Sequence, residues 1–395
     1  MVADPVRAHR GGLFVDAANE RQIAIRLSSR GIARAVFVCA SGVVCCVPAV
    51  DLHDAAEADS SVVLPDGADA RLAEDSAHPH DVGRDANTPD GTPPPDDVLR
   101  VPIPPTLNAT GLYADIATRQ LAPGIITYRP RYELWNDGAA KQRFLFLPPG
   151  TRIDTREMDH WQFPVGTRLW MESRVGTTLV ETRYLEHYGP QRADWLRVGY
   201  AWNTGGTDAV AMPDGVNDVL GTGYRIAPEG ECGACHGPVR GGVIGLSAVQ
   251  LTSDGAPSQL SDFAARNLLS DPPLREPIVP GAGVVRDSLG YLHTNCGNCH
   301  SGEPGTESTT RITLRLFVSD RVPTDTSAYA TAIGSSSFHT VGGTSLNVVP
   351  GAPEQSQLWV RMGLRDLEAM PPIGSSMADT AARETIRQWI AALPP

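Results

Sequence analysis

The apolar pattern changes character four times along the chain. Residues 1–29 are mostly polar and match neither an export signal nor a core. Arg26, Arg30 and Arg34 then lead into an apolar run from Ala35 to Val50. A positive segment followed by an apolar stretch too short for a membrane span is the pattern of an export signal. From Asp51 to about Leu99 the chain is rich in Asp, Ala, Pro and Gly and almost free of aromatics. Such a stretch buries too little apolar area to order itself, and it reads as a linker. Beyond Val101 the pattern becomes β-like. Arg143–Leu147, Arg168–Met171, Leu179–Leu185 and Trp195–Trp202 mix alternation with aromatic and branched residues. Pro148-Pro-Gly150, Pro164-Val-Gly166, Gly189-Pro190 and Gly205-Gly206 separate them as turns.

Helical signal is confined to the later part of the chain. It is present around Ser261 to Leu269, and Val285, Leu289 and Leu292 fall at i, i+4 and i+7. Near the C-terminus, Asp379 is placed as an N-cap before a stripe of Ala382, Ile386, Trp389, Ile390 and Leu393. The expected fold class is therefore α+β. A β-rich, sandwich-like domain spans 101–275, and a mainly α domain spans 276–395. The regions before them are 1–49, a signal with an apparent N-terminal extension, and 50–100, the acidic linker. Ser301 to Val349, full of Ser, Thr and Gly, reads as a long loop insertion.

Charge changes the picture little. Thirteen acidic residues lie between Asp51 and Asp97 against Arg71 and Arg84. That balance of −11 accounts for nearly all of the net charge of −12, so the acidity belongs to the linker. Lys141 is the single lysine. A lysine-ringed docking face is thereby excluded, and no basic nucleic-acid face is visible.

The chemistry lies in two stretches, Cys232-Gly-Ala-Cys235-His236 and Cys296-Gly-Asn-Cys299-His300. Each is C-x-x-C-H, the attachment sequence for c-type haem. Two thiols at this spacing bond the two vinyl groups on one edge of the porphyrin, and the adjacent His binds the iron. A single zinc shared by both pairs is the rival. Zinc knuckles are usually separated by about 12–20 residues, whereas Cys235 and Cys296 are about sixty apart. A thioredoxin-like site would follow a strand in a βαβ unit, and none precedes either pair. The expectation is two covalently bound haem c groups, with Cys232, Cys235, Cys296 and Cys299 as attachment residues and His236 and His300 as proximal ligands.

Met370-Pro-Pro-Ile-Gly374 lies about seventy residues after His300, just before the last helix. A class I cytochrome c presents its distal Met at this place, and prolines stiffen the loop. Met370 is therefore the expected distal ligand of the second haem, with Met362 assigned to core and Met377 a weaker alternative. The sixth ligand of the first haem stays open among Met158, His160, Met171, His187, Met212 and His293. For Met171 a core role is the expectation. His293 alternatively serves a haem propionate.

Covalent haem attachment takes place outside the bacterial cytoplasm, so the chain is expected in the periplasm or tethered at the outer surface. Val47-Pro-Ala49 offers the small residues a signal peptidase reads. Lipidation at Cys45 or Cys46 is the alternative, and it is the one expected route to a membrane.

The chain resembles a family of exported bacterial dihaem c-type cytochromes, some linked to quinoprotein dehydrogenases. The resemblance rests on Tyr132-Glu-Leu-Trp135 with Asp137-Gly138, Lys141-Gln-Arg143, Leu147-Pro-Pro-Gly-Thr151, Phe163-Pro-Val-Gly-Thr167, Glu181-Thr-Arg183 and Ala201-Trp-Asn203. Tyr291-Leu-His-Thr-Asn-Cys296 and Met370-Pro-Pro-Ile-Gly374 resemble the cytochrome c domain of planctomycete-type proteins. The resemblance implies haem binding and electron transfer with a redox protein partner, a quinoprotein dehydrogenase or another cytochrome. The second reading is a dihaem peroxidase-like oxidoreductase with an open first haem, and Glu172, Glu181, His160 or His187 as its acid/base group.

Overall fold

The computed structural model describes residues 101–236, 242–255, 257–302 and 311–395, together with the backbone of four strands nearer the N-terminus. Those four are β1 (Leu13–Ala17), β2 (Arg21–Leu27), β3 (Ala33–Val38) and β4 (Val44–Cys46). They form an antiparallel meander in a unit of their own, Met1–Gly91. The apolar run expected as an export signal thus carries most of β3 and all of β4, and the acidic linker lies outside the described residues. No helix among the described residues is long and apolar enough to cross a membrane.

The second unit, Thr92–Pro395, is α+β. Tyr113–Asp115 (β5) and Gln120–Leu121 (β6) form a small ribbon. The main sheet is built from Ile126–Tyr128 (β7), Ala140–Phe146 (β8), Arg168–Val175 (β9), Thr178–His187 (β10), Trp195–Trp202 (β11) and Ala209–Ala211 (β12). Each strand pairs antiparallel with the next in chain order. The strands expected from alternation are present, but they form one six-stranded meander. Within Thr92–Pro395 the described residues hold no second large sheet. The meander's two faces are covered differently. Phe144, Trp170, Tyr184, Val198 and Tyr200 pack with Leu107, Leu112 and Tyr113 from the segment before the sheet. Leu145, Leu169 and Trp195 pack with Leu251, Leu260 and Phe263 from the helices α2 (Ala248–Leu251) and α3 (Gln259–Ala265). Helices therefore do the covering that the sandwich expectation assigned to a second sheet. The first C-x-x-C-H stands earlier, on α1 (Glu229–Cys235), which packs on β11.

The C-terminal part gathers around α4 (Val284–Asn295) and α7 (Thr380–Ala391), which pack together. Leu289 and Leu292 meet Ile386, Trp389 and Ile390, all essentially inaccessible to solvent. This is the expected apolar stripe, and Asp379 does cap α7, accepting from the Ala382 N–H at 2.9 Å. The stretch expected as a loop insertion contributes to the same core. Leu314, Leu316 and Val348, with Ala328 and Ala332 of α5 (Ser327–Ala332), are buried there beside Met362 of α6 (Gln357–Met362). Its Ser, Thr and Gly content hid a few apolar residues that pack one at a time rather than periodically.

Candidate functional site

Both cysteine pairs stand on a helical turn, which puts residues i and i+3 on one side. In the first, α1 carries Cys232 and Cys235 and ends on His236, whose N–H donates to the Cys232 carbonyl at 2.9 Å. In the second, α4 runs up to Cys296, and the His300 N–H donates to the Cys296 carbonyl at 2.8 Å. The two turns are not interchangeable. A Cβ at Gly297 would fall 2.5 Å from the His293 carbonyl oxygen and 3.0 Å from the Arg315 Cα, whereas one at Gly233 would meet nothing within 4 Å.

His236 is held as a ligand would be. Its Nδ1 lies 2.7 Å from the Gly242 carbonyl oxygen, so Nδ1 carries the proton and Nε2 keeps its lone pair. Burial pushes the imidazole pKa down to about 4, which keeps the ring neutral. Arg197 donates to the His236 carbonyl at 2.8 Å and ties the turn to β11.

Two cavities open from the two turns. One, about 940 Å³ including its mouth, is lined by Cys296, Cys299, His300 and Met370, with Arg361 and Met362 nearby. The other, about 880 Å³ including its mouth, is lined by Cys232, Cys235, His236, Lys141, Met171 and Arg183. The structure thus brings together every residue expected to hold the second haem. Met370 is placed by its own N–H, which donates to the Arg361 carbonyl at 3.0 Å, and by Arg361 Nε, which donates to the Glu368 carbonyl at 2.7 Å.

The two cavities adjoin. Asn295, Cys299, Pro371 and Pro372 line both, and the Cys235 and Cys299 thiols are in hydrogen-bonding contact. That contact, with burial, holds the Cys235 thiol well above the ordinary thiol range. Burial pushes Cys296 up to about 12, with Cys299 adding to it.

The floor of the first cavity is one face of the main sheet. Across it, Arg143 of β8, Met171 of β9, Arg183 of β10 and Gly199 of β11 form a single cross-strand row. Arg183 Nε donates to the buried Glu181 carboxylate at 2.8 Å, whose second oxygen accepts from the Tyr224 hydroxyl at 2.5 Å. Arg143 is paired with Glu133 at 2.6 Å. Lys141 donates to the Leu134 carbonyl, and burial together with the Arg143 charge pushes its pKa down to about 8.

The other residues weighed for the first iron lie elsewhere. Met158 packs on the core beneath α3, and Met212 packs beside Ile226. His160 meets Arg315. His187 stacks on Trp195 at 4.7 Å between centroids, and its Nε2 lies 3.0 Å from the Gln191 carbonyl oxygen. His293 accepts from the Leu316 N–H at Nδ1 and lines a third, smaller cavity with Trp161 and Arg315. Met377 is half exposed and lines neither of the two cavities at the cysteine pairs.

One part of the site was not read from the sequence as a device. The Tyr132–Gly138 segment docks onto the second C-x-x-C-H region. The Trp135 N–H donates to Asn295 Oδ1 at 2.6 Å, one residue before Cys296. Trp135 Nε1 donates to the Met377 carbonyl at 2.9 Å, and Asp137 accepts from the N–H groups of Ser376 and Met377. Leu134, Trp135 and Asn136 of this segment also line the cavity at Cys232, so the segment lies between the two C-x-x-C-H regions.

The chain matches no protein-family model, no curated protein and no solved structure.

Proposed function

We propose that the chain is a two-haem c-type cytochrome that passes electrons within the bacterial cell envelope. The contact between Cys235 and Cys299 carries this reading, because two thiol pairs that meet there would set two attached porphyrin edges side by side. Three further features support it. Each pair of thiols shares a cavity with its own His. The His236 proton sits on the nitrogen turned to Gly242, which leaves the other for iron. Among the described residues, no three His, Cys, Asp or Glu side chains converge as a zinc site needs. An iron held in a porphyrin asks only one or two donors of the protein.

Bound haem supplies a one-electron iron couple. The chain's own residues do the rest. Cys232 and Cys235, and Cys296 and Cys299, anchor the two ring edges. His236 and His300 supply imidazole nitrogens, and Met370 supplies a thioether from a loop that Arg361 pins. Neutral ligands and buried walls limit solvent reorganisation when the charge on iron changes. None of Glu172, Glu181, His160 and His187, the acid/base groups a peroxidase reading requires, lines the cavity at His236. Glu172 instead accepts from Tyr113 and Arg119 across the sheet.

Export to the periplasm or outer surface, and a redox protein partner such as a quinoprotein dehydrogenase or another cytochrome, belong to the same proposal. Haem counting and EPR of purified holoprotein test it. Two haems per chain with spin–spin interaction in the fully oxidised state are expected. Fewer than two haems, or two magnetically independent ones, would overturn the relay.

A further inference from the structure

We infer that Met171 is the distal iron ligand of the first haem, an inference that rests on the two-haem reading above. Of the six residues weighed for this role, Met171 is the one that lines the cavity containing Cys232, Cys235 and His236. The other five are occupied elsewhere in the fold, as described.

Met171 also lacks the usual reason for a methionine on a strand. A buried Met normally fills an irregular gap in an apolar core. Met158, Met212 and Met362 do so, each packed within an apolar cluster. Met171 belongs to none of the apolar clusters of the described residues and is only partly buried. Its row neighbours on the sheet are Arg143 and Arg183, and Lys141 shares its cavity. An apolar thioether set among three cations, facing a cavity, makes poor packing and a good soft ligand.

Met370 stands in the same position with respect to the second turn. It too lies outside the apolar clusters, is partly buried, and lines the cavity of a C-x-x-C-H histidine. Two methionines share this unusual setting, and each faces one of the two cavities. The difference is their support. Met370 is presented by a proline loop, and Met171 by the middle of a β-strand. The strand fixes backbone position through pairing on both sides, so β9 holds the thioether without a dedicated loop.

Haem counting and spectra of the holoprotein separate this inference from the reading beneath it. A haem count below two overturns the reading, and the inference with it. With two haems bound, ferric wild type is expected to be all low-spin, with a red charge-transfer band from thioether–iron bonds at both sites. Met171→Ala is expected to lose about half of that band and to convert one haem to high-spin or water-bound form. Met370→Ala is expected to lose the other half. A Met171→Ala spectrum identical to wild type would overturn the inference. So would loss of one low-spin haem in Lys141→Gln with Met171→Ala silent, which would make the lysine the ligand. Proton NMR of reduced wild type needs no variant: two methionine methyl resonances far upfield are expected, and a single one would overturn the assignment.

Discussion

The ring of Tyr132 occupies the space into which a side chain at Gly290 would project. A Cβ built at Gly290 would lie 2.1 Å from the Tyr132 Cζ. Tyr132 belongs to the segment that precedes β8, and Gly290 is buried inside α4, six residues before Cys296. Gly in a helix interior costs about 1 kcal/mol relative to Ala. Here that cost is outweighed by the close approach of the ring. Gly290→Ala is expected to destabilise the holoprotein by about 1–3 kcal/mol, because the ring cannot move away without unpacking α4. Tyr132→Leu should relieve part of that loss in a double-mutant cycle followed by denaturant unfolding.

The two C-x-x-C-H turns should respond differently to the same substitution. Gly297→Ala puts a methyl against the backbone of His293 and Arg315, and neither can yield as a side-chain tip could. It is expected to lower stability by about 1–3 kcal/mol and to reduce haem loading at the second site. Gly233→Ala meets open space within α1 and should be neutral or stabilising by up to about 1 kcal/mol. Haem counts and unfolding midpoints of the two variants check the asymmetry.

Asp137 holds the loop that follows Met370. Its carboxylate accepts from Ser376 N–H at 2.9 Å, Ser376 hydroxyl at 2.6 Å and Met377 N–H at 2.9 Å. Hydrogen bonds to a charged group contribute roughly 1.5–3 kcal/mol, less where solvent reaches them as it does here. Asp137→Ala is expected to free the loop, so that the red absorption band expected from the proposed Met370 ligation melts at lower temperature. Asp137→Asn, which keeps an acceptor oxygen, should recover part of the difference.

At the head of the last helix, Asp379→Ala removes the acceptor for Ala382 N–H and should cost about 1 kcal/mol of stability. Asp379→Ser retains a capping oxygen and should behave close to wild type. Thermal unfolding followed by far-ultraviolet circular dichroism distinguishes the two.

Glu384, which lines neither cavity, supplies a pH-dependent contribution. Hydrogen bonds from Arg387 and then Gln388 bring its carboxyl pKa down to about 2. A pKa depressed by folding means that the unfolded chain binds the proton more readily. The contribution is therefore fully present above the ordinary glutamate pKa and is lost as pH falls from about 4.5 toward 2. Glu384→Gln should remove this part of the acid dependence, and high salt should shrink the difference, because the group is open to solvent.

The sequence by itself determined what depends on neighbours along the chain. Alternation placed β8 to β11, the stripe from Ala382 to Leu393 placed α7, and Asp379 was legible as its cap. The spacing within Cys232–His236 and Cys296–His300 put each thiol pair and its His on one turn, because that is a local arrangement. Tertiary structure decided the relations between segments. Strand patterns do not state what covers a sheet, so helices stood where a second sheet was expected. Alternation cannot say whether a face meets a core or a cavity, which is why Met171 read as core. The contact of Cys235 with Cys299, and of Tyr132 with Gly290, joins residues far apart in the chain. Such contacts arise only when segments distant in sequence pack against one another, and no periodicity in either segment encodes the other.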